Sequence, residues 1–137
     1  MEGEKRKILI VDDDNFLLDM YALKFSQNNF EVYAATSGVH ALEKLKDGLS
    51  PDVVLMDIIM PEMDGFEALT QINEQKLCPN SAKIILSNRS EKNDIDKGNQ
   101  LGVAGYIVKA NSTPAEVIDQ VVKILEKKVV VPKQYGL

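Results

Sequence analysis

The chain reads as a single α/β domain built on a five-stranded parallel sheet, and three observations carry that reading. Short, almost unbroken apolar runs recur along it: Ile8 to Val11, Val53 to Met56, Ile84 to Leu86 and Tyr106 to Val108. Segments of helical period lie between them, the alternation that builds βα units. Each run stops at a reactive polar side chain: Asp12 with Asp13, Asp57, Ser87 and Lys109 in turn. Buried parallel strands bring those ends to one edge of the sheet, where open α/β folds leave their ligand crevice.

The elements follow in order. Strand one is Lys7 to Val11, and the next segment places Phe16, Met20 and Leu23 on one helical face before Asn28 and Asn29 stop it. Strand two, Phe30 to Ala35, carries Glu31 among its apolar residues and therefore belongs at the sheet edge. Helix two, about Ser37 to Asp47, buries Val39, Leu42 and Leu45 and ends at Gly48. Strand three ends at Asp57. After a loop from Met60 to Gly65, helix three presents Phe66, Leu69 and Ile72 at the same spacing.

Strand four ends at Ser87. Helix four, about Glu91 to Leu101, has Ile95 as nearly its only core anchor and contains Gly98, which costs about 1 kcal/mol relative to alanine. Its packing should be the loosest. Strand five ends at Lys109, and helix five opens on Thr113-Pro114-Ala115-Glu116, a capping box with proline at the first helical position, running to about Lys128. Its apolar residues, Val117 to Leu125, cover a stripe roughly 160° wide, broader than packing on one sheet face needs. The excess is available for a homodimer through helix four, strand five and helix five, or for docking. Val129 to Leu137 is expected to be a frayed tail or a docking strand, outside a domain spanning residues 1–128, with no output domain after it.

Composition narrows the function classes. The 137 residues fit one domain, and 45% hydrophobic content supports an ordinary core. A formal charge of -5 with scattered Lys and Arg argues against nucleic acid or an anionic membrane as partner. No apolar run approaches the roughly 20 residues of a membrane span, and Met1 to Lys7 lacks a signal-peptide core, so a cytoplasmic location is expected. Cys78 and His40 are each single, which excludes a disulfide framework within the chain and a Cys-based zinc site. Cys78 reads as an inert loop thiol and His40 as a surface residue.

Asp12, Asp13 and Asp57 converge on one edge with like charges, each pair repelling by about 4 kcal/mol at about 4 Å and an effective dielectric near roughly 20. Such a cluster needs cations. Lys109 and one divalent ion balance it, and all-oxygen ligation with few protein ligands favours Mg²⁺ over Ca²⁺. A metal beside a carboxylate lets an aspartate attack a phosphoryl group, with Lys109 and Ser87 on the remaining oxygens. Asp57, ending the most apolar run, is the candidate nucleophile. The alternative is that these residues only cap strands and helices, with Asp13 and Asp14 as N-caps.

From Lys7 to about Lys128 these residues resemble the response-regulator receiver domain. Ile8-Leu9-Ile10-Val11-Asp12-Asp13 is similar to that family's acidic-pair strand, and Met56-Asp57 with Met60-Pro61-Glu62-Met63-Asp64-Gly65 to its phosphoacceptor strand and loop. Ser87 falls at the switch hydroxyl; Gly105-Tyr106-Ile107-Val108-Lys109 resembles the fifth strand with its switch aromatic and lysine. The resemblance implies a flavodoxin-like, doubly wound (βα)₅ fold of sheet order 2-1-3-4-5. It implies that Asp57 takes a phosphoryl group from a histidine kinase or phosphotransfer protein. Mg²⁺ would be held by Asp13, Asp57 and the carbonyl of Ile59, with Asp12 acting through water, while Ser87 and Lys109 contact the phosphoryl oxygens and Tyr106 turns inward.

The chain departs from the family pattern in three respects. Ala110 stands where the family usually has a proline in a cis bond. A non-proline cis bond costs about 2.5 to 4 kcal/mol, so a trans Lys109–Ala110 bond is expected. Asn88 replaces the small residue common beside the switch hydroxyl and should crowd an approaching donor. Ile59 and Arg89 occupy positions that tune dephosphorylation in this family, and neither is a general base for water, so a long-lived phosphoryl-Asp57 is expected.

The function expected is a stand-alone, non-enzymatic phosphorylation switch that signals to a downstream protein partner through helix four, strand five and helix five. An Asp-nucleophile phosphatase is the first rival, but Ile59 stands where that class carries a second aspartate. A flavodoxin-like cofactor binder is disfavoured because Asp12-Asp13-Asp14 repels a bound phosphate. An interaction domain that lost the chemistry would not need the full Asp12, Asp13, Asp57, Lys109 set.

Overall fold

The computed structural model describes residues 4–130. Five parallel strands, β1 (Arg6–Val11), β2 (Phe30–Ala35), β3 (Val53–Met56), β4 (Ala82–Ser87) and β5 (Gly105–Val108), form one sheet of order β2-β1-β3-β4-β5. The helices are α1 (Asn15–Gln27), α2 (Gly38–Lys46), α3 (Gly65–Glu74), α4 (Lys92–Gln100) and α5 (Pro114–Val130), with a short 3₁₀ turn at Lys109–Asn111. β2 lies at the edge, where Glu31 is exposed.

The period-2 alternation of the strands builds two cores. Ile8, Ile10, Val53, Leu55, Ile84 and Ile107 face α1 and α5, while Leu9, Val11, Val54, Met56 and Ile85 face α2 and α3. The sheet is therefore covered on both faces, which is why its strands read as continuous apolar runs. Register fixes the site. Val11 pairs with both Ala35 and Met56, so Asp12 and Asp57, the residues directly after β1 and β3, emerge side by side. Ser87 pairs with Val108, which brings Lys109 out beside the end of β4.

Several helical ends follow directly from local chemistry. Ser37 Oγ accepts from the His40 N–H at the start of α2, and Gly48 takes φ +113° after its end. Thr113 and Glu116 make reciprocal capping bonds of 3.2 and 2.8 Å at the start of α5. That helix runs to Val130, two residues past the expected end; the rest of the tail, residues 131–137, lies outside the described residues.

The helical faces correct three sequence expectations. In α1 the buried residues are Leu18, Tyr21 and Phe25, whereas Phe16 is 77% and Leu23 59% exposed. This helix carries apolar residues almost all round, so several i, i+3/i+4 sets compete, and the set that meets Phe30 and α5 is buried. In α2, Leu42 and Leu45 are buried with Ala41, but Val39 is exposed. In α4, Ile95 is exposed, and the helix seats instead through Gly98 and the buried carboxylate of Asp94. α3 buries Phe66, Leu69 and Ile72 as its spacing indicates.

The wide stripe on α5 is taken up largely inside the chain. Val117, Val121 and Leu125 are buried, and Val122 and Ile124 pack against the same core. A Cβ on Gly105 would come 2.5 Å from Ile124 Cδ1, so the absence of a side chain in β5 lets α5 lie close. No helix among the described residues is long and apolar enough to cross a membrane.

Candidate functional site

The four strand ends meet in a cavity of about 280 Å³ that brings together Asp12, Asp13, Asp57, Ile59, Ser87 and Lys109. A larger cleft of about 470 Å³ lies between the loop before α3 and α4, lined by Glu62, Phe66 and Lys97 among others. Chemistry and not volume marks the site, because only the smaller cavity holds the run-ending residues.

Asp12 is almost fully buried. Its N–H bonds Ala35 at 3.1 Å, and its Oδ1 accepts from the Asp14 N–H at 2.9 Å. Asp14 is the N-cap of α1, its Oδ1 accepting from Phe16 and Leu17. Capping is thus done by Asp14, and Asp13 is not the N-cap. Carboxylate oxygens of Asp12, Asp13 and Asp57 all lie within 4.8 Å of one another.

Asp57 is buried directly beyond β3. Its N–H continues the ladder to Val11 at 3.0 Å, and its Oδ1 accepts from the Ile58 N–H at 2.7 Å. Gly65 makes this placement possible, since a Cβ there would stand 2.1 Å from the Asp57 carbonyl oxygen. The Gly65 N–H takes the Ile58 carbonyl at 2.8 Å, which folds the Pro61–Gly65 loop back under the site. Ile59 lines the cavity with its side chain exposed.

Lys109 bridges two of the three carboxylates, Nζ lying 2.9 Å from Asp12 Oδ2 and 3.0 Å from Asp57 Oδ2 with the side chain 11% exposed. Burial pushes the Asp57 carboxyl up from the ordinary value; Lys109 opposes this and Asp12 adds to it. Burial also works against the Lys109 charge, but the hydrogen bonds and charges of Asp12 and Asp57 outweigh it, and its pKa is raised. Both directions express one fact: a single ammonium is shared between buried carboxylates whose charge it only partly offsets. The set is all oxygen, acidic and partly open, which fits a hard divalent cation such as Mg²⁺.

The Lys109–Ala110 bond is trans, as expected, since no cis peptide occurs among the described residues. The ammonium nonetheless reaches both carboxylates. Ser87 is fully buried at the end of β4, and its Oγ accepts from the Arg89 N–H at 3.1 Å. Tyr106, half-buried on β5, donates its hydroxyl to the carbonyl of that same Arg89.

Sequence reasoning missed Asp94, which is 5% exposed, holds Arg89 Nε at 2.9 Å and accepts from the Glu91 N–H at 3.0 Å. It also missed a pairing of Asn88 with Ala110, the Ala110 N–H donating to Asn88 Oδ1 at 2.7 Å. The Asp94 spacing is legible as a reciprocal cap, Glu91 with Asp94. Nothing in the sequence signals the Asn88–Ala110 bond.

A doubly wound parallel sheet with an acidic, cation-ready cluster at the carboxyl ends of its strands defines the class of regulatory switch domains seen in two-component signalling. Comparison with known proteins agrees: the response regulator receiver domain family matches residues 8–122. The chain is 38% identical over 122 residues to the chemotaxis protein CheY of Listeria monocytogenes, covering 88% of this chain and 96% of that one. It is 35% identical over 120 residues to CheY of Thermotoga maritima, covering 87% and 97%. Against the alkaline phosphatase synthesis transcriptional regulatory protein PhoP of Bacillus subtilis, at 31% identity, the chain spans about half (49%) of the relative's length. A CheY-like receiver domain structure from Methanospirillum hungatei superposes with a TM-score of 0.82 at 25% identity, over 90% of this chain and 96% of that one. The chain belongs to the response regulator receiver domain family.

Proposed function

We propose that the protein is a CheY-like phosphorylation switch in which Asp57 accepts a phosphoryl group from a histidine kinase or histidine phosphotransfer protein. The observation that carries this reading is the Asp57 carboxylate itself. It is buried at the end of β3, 3.0 Å from the Lys109 ammonium and within 4.8 Å of the Asp12 and Asp13 oxygens. An Asp57 oxygen forms the new P–O bond as the donor's P–N bond breaks, and the histidine imidazole leaves. Mg²⁺ would be held by Asp13, Asp57 and the carbonyl of Ile59, with Asp12 acting through water, and would supply positive charge against the phosphoryl oxygens. Lys109 holds one of those oxygens, and the Ser87 hydroxyl is the donor available to another.

Phosphorylation adds roughly 1.5 to 2 negative charges. Moving Ser87 toward them breaks its bond from Arg89, whose carbonyl also anchors Tyr106, and the output surface of α4, β5 and α5 shifts with them. α4 suits such a role because it buries only Asp94 and Gly98. A downstream protein partner reads that surface, and neither nucleic acid nor a membrane is needed. Turnover is slow in this reading, because Ile59 is apolar and Arg89 is engaged with Asp94. A pulse-chase of labelled protein showing a half-life of seconds would contradict that part. Intact mass after incubation with a small phosphodonor and Mg²⁺ tests the acceptor, and turnover of simple phosphoesters would favour a phosphatase instead.

A further inference from the structure

The geometry points to Asn88 as a positioning residue for Lys109, acting through the backbone N–H of Ala110. What that positioning serves rests on the proposed phosphoryl acceptance at Asp57. Asn88 and Ala110 both depart from the family pattern, and they are bonded to each other. The Ala110 N–H donates to Asn88 Oδ1 at 2.7 Å. A proline at 110 has no N–H to give, so the bond exists only because residue 110 is not proline. The carbonyl of the same peptide unit, that of Lys109, accepts from the Ser112 N–H at 3.2 Å. Both polar groups of the Lys109–Ala110 peptide are therefore occupied, which fixes the plane from which the Lys109 side chain departs.

That side chain then runs into the site to meet Asp12 and Asp57 at 2.9 and 3.0 Å. In a trans peptide with no ring to restrict it, the turn Lys109–Asn111 has backbone freedom, and the Asn88 bond removes part of it. Asn88 directly follows Ser87, so the loop after β4 and the loop after β5 are joined at the mouth of the cavity that holds the acidic cluster. Asn88 and Ala110 are both exposed, so replacing either side chain leaves the core intact.

Asn88→Leu, which keeps the bulk and loses the acceptor, tests this against Asn88→Asp, which keeps an acceptor oxygen. Without metal, Ala110 amide exchange should be roughly fivefold faster in Asn88→Leu and near wild type in Asn88→Asp, the loss of one modest exposed hydrogen bond. With Lys109 less firmly held against Asp12 and Asp57, Mg²⁺ binding by calorimetry should tighten severalfold while phosphoryl gain from a small donor slows. In an Ala110→Pro background, which lacks the N–H, Asn88→Leu should change neither quantity further. Unchanged Ala110 exchange in Asn88→Leu overturns the assignment. So does an Asn88→Leu effect of equal size in the proline background, which would mean that the Asn88 amide acts through a partner other than the Ala110 N–H. A wild-type protein that takes no phosphoryl group, yet shows the exchange and Mg²⁺ effects, contradicts the function proposed for Asp57 and supports the positioning role of Asn88.

Discussion

Ser87 and Tyr106 are tied to one residue: the Arg89 N–H donates to Ser87 Oγ at 3.1 Å, and the Arg89 carbonyl accepts from the Tyr106 hydroxyl. The end of β4 and the aromatic ring on β5 thus share an anchor in the loop between β4 and α4. The Arg89 side chain extends the tie into α4 through Asp94 at 2.9 Å.

Tyr106→Phe removes the donor and leaves the Arg89 carbonyl without it. The expected cost is about 1 kcal/mol, read as a fall of a few degrees in Tm, because the ring still packs beside Gly98. Amide exchange should rise in the loop at 88–91 and in the first turn of α4, and stay unchanged in β1 and β3. Uniform loosening of the sheet would refute the proposed local tie.

Asp57→Asn should stabilise the metal-free protein by about 1 kcal/mol at neutral pH, since it removes one of the crowded buried charges while Lys109 keeps Asp12. The sign with pH follows from the raised Asp57 value. The folded state binds this proton more readily than the unfolded chain, whose carboxyl titrates near 3.8, so the Asp57 contribution to stability falls as pH rises through that window. The advantage of the asparagine variant should shrink as pH drops and Asp57 protonates. A gap that widens on acidification would be the wrong sign.

Lys109→Met leaves Asp12 and Asp57 buried without their shared cation. The expected loss is about 3 kcal/mol in metal-free protein, in the range for breaking a buried pair from one side. Millimolar Mg²⁺ should restore more stability to this variant than to the wild type. Because the folded-state Lys109 value is raised, its own contribution is complete at neutral pH and is lost only as pH rises through that value. Chemical denaturation with and without Mg²⁺ checks both statements.

Gly65→Ala places a Cβ 2.1 Å from the Asp57 carbonyl and 2.8 Å from Ile58 Cα, both backbone atoms that have no rotamer to escape into. A loss of about 3 kcal/mol is expected, larger than a helix-start Gly→Ala change elsewhere, together with weaker Mg²⁺ binding as Asp57 is displaced. Wild-type stability and Mg²⁺ affinity in this variant would show that the loop has room the geometry denies.

How much of this was legible in the sequence depended on the kind of contact. The strand ends were legible because a buried strand leaves an unbroken apolar run, and the residue that breaks it must face the crevice; Asp12, Asp57, Ser87 and Lys109 all did. The seating of α1 was not, because Phe16, Leu17, Leu18, Met20, Tyr21, Leu23 and Phe25 satisfy more than one helical face, and packing against Phe30 and α5 decides among them. α4 misled for the opposite reason. Its lone apolar residue, Ile95, reads as the anchor, whereas the helix approaches through the bare face of Gly98, near Ile85 and Tyr106, and a paired carboxylate. The Asn88–Ala110 bond spans 22 residues and joins a side chain to a backbone group, so no local pattern encodes it.

The most direct test of the account is intact mass after incubation with a small phosphodonor and Mg²⁺, for wild type and Asp57→Asn side by side. The account predicts one added phosphoryl group on the wild type, dependent on Mg²⁺, and a gain at least tenfold slower in the variant. No gain on the wild type, or an equal rate in Asp57→Asn, would contradict it.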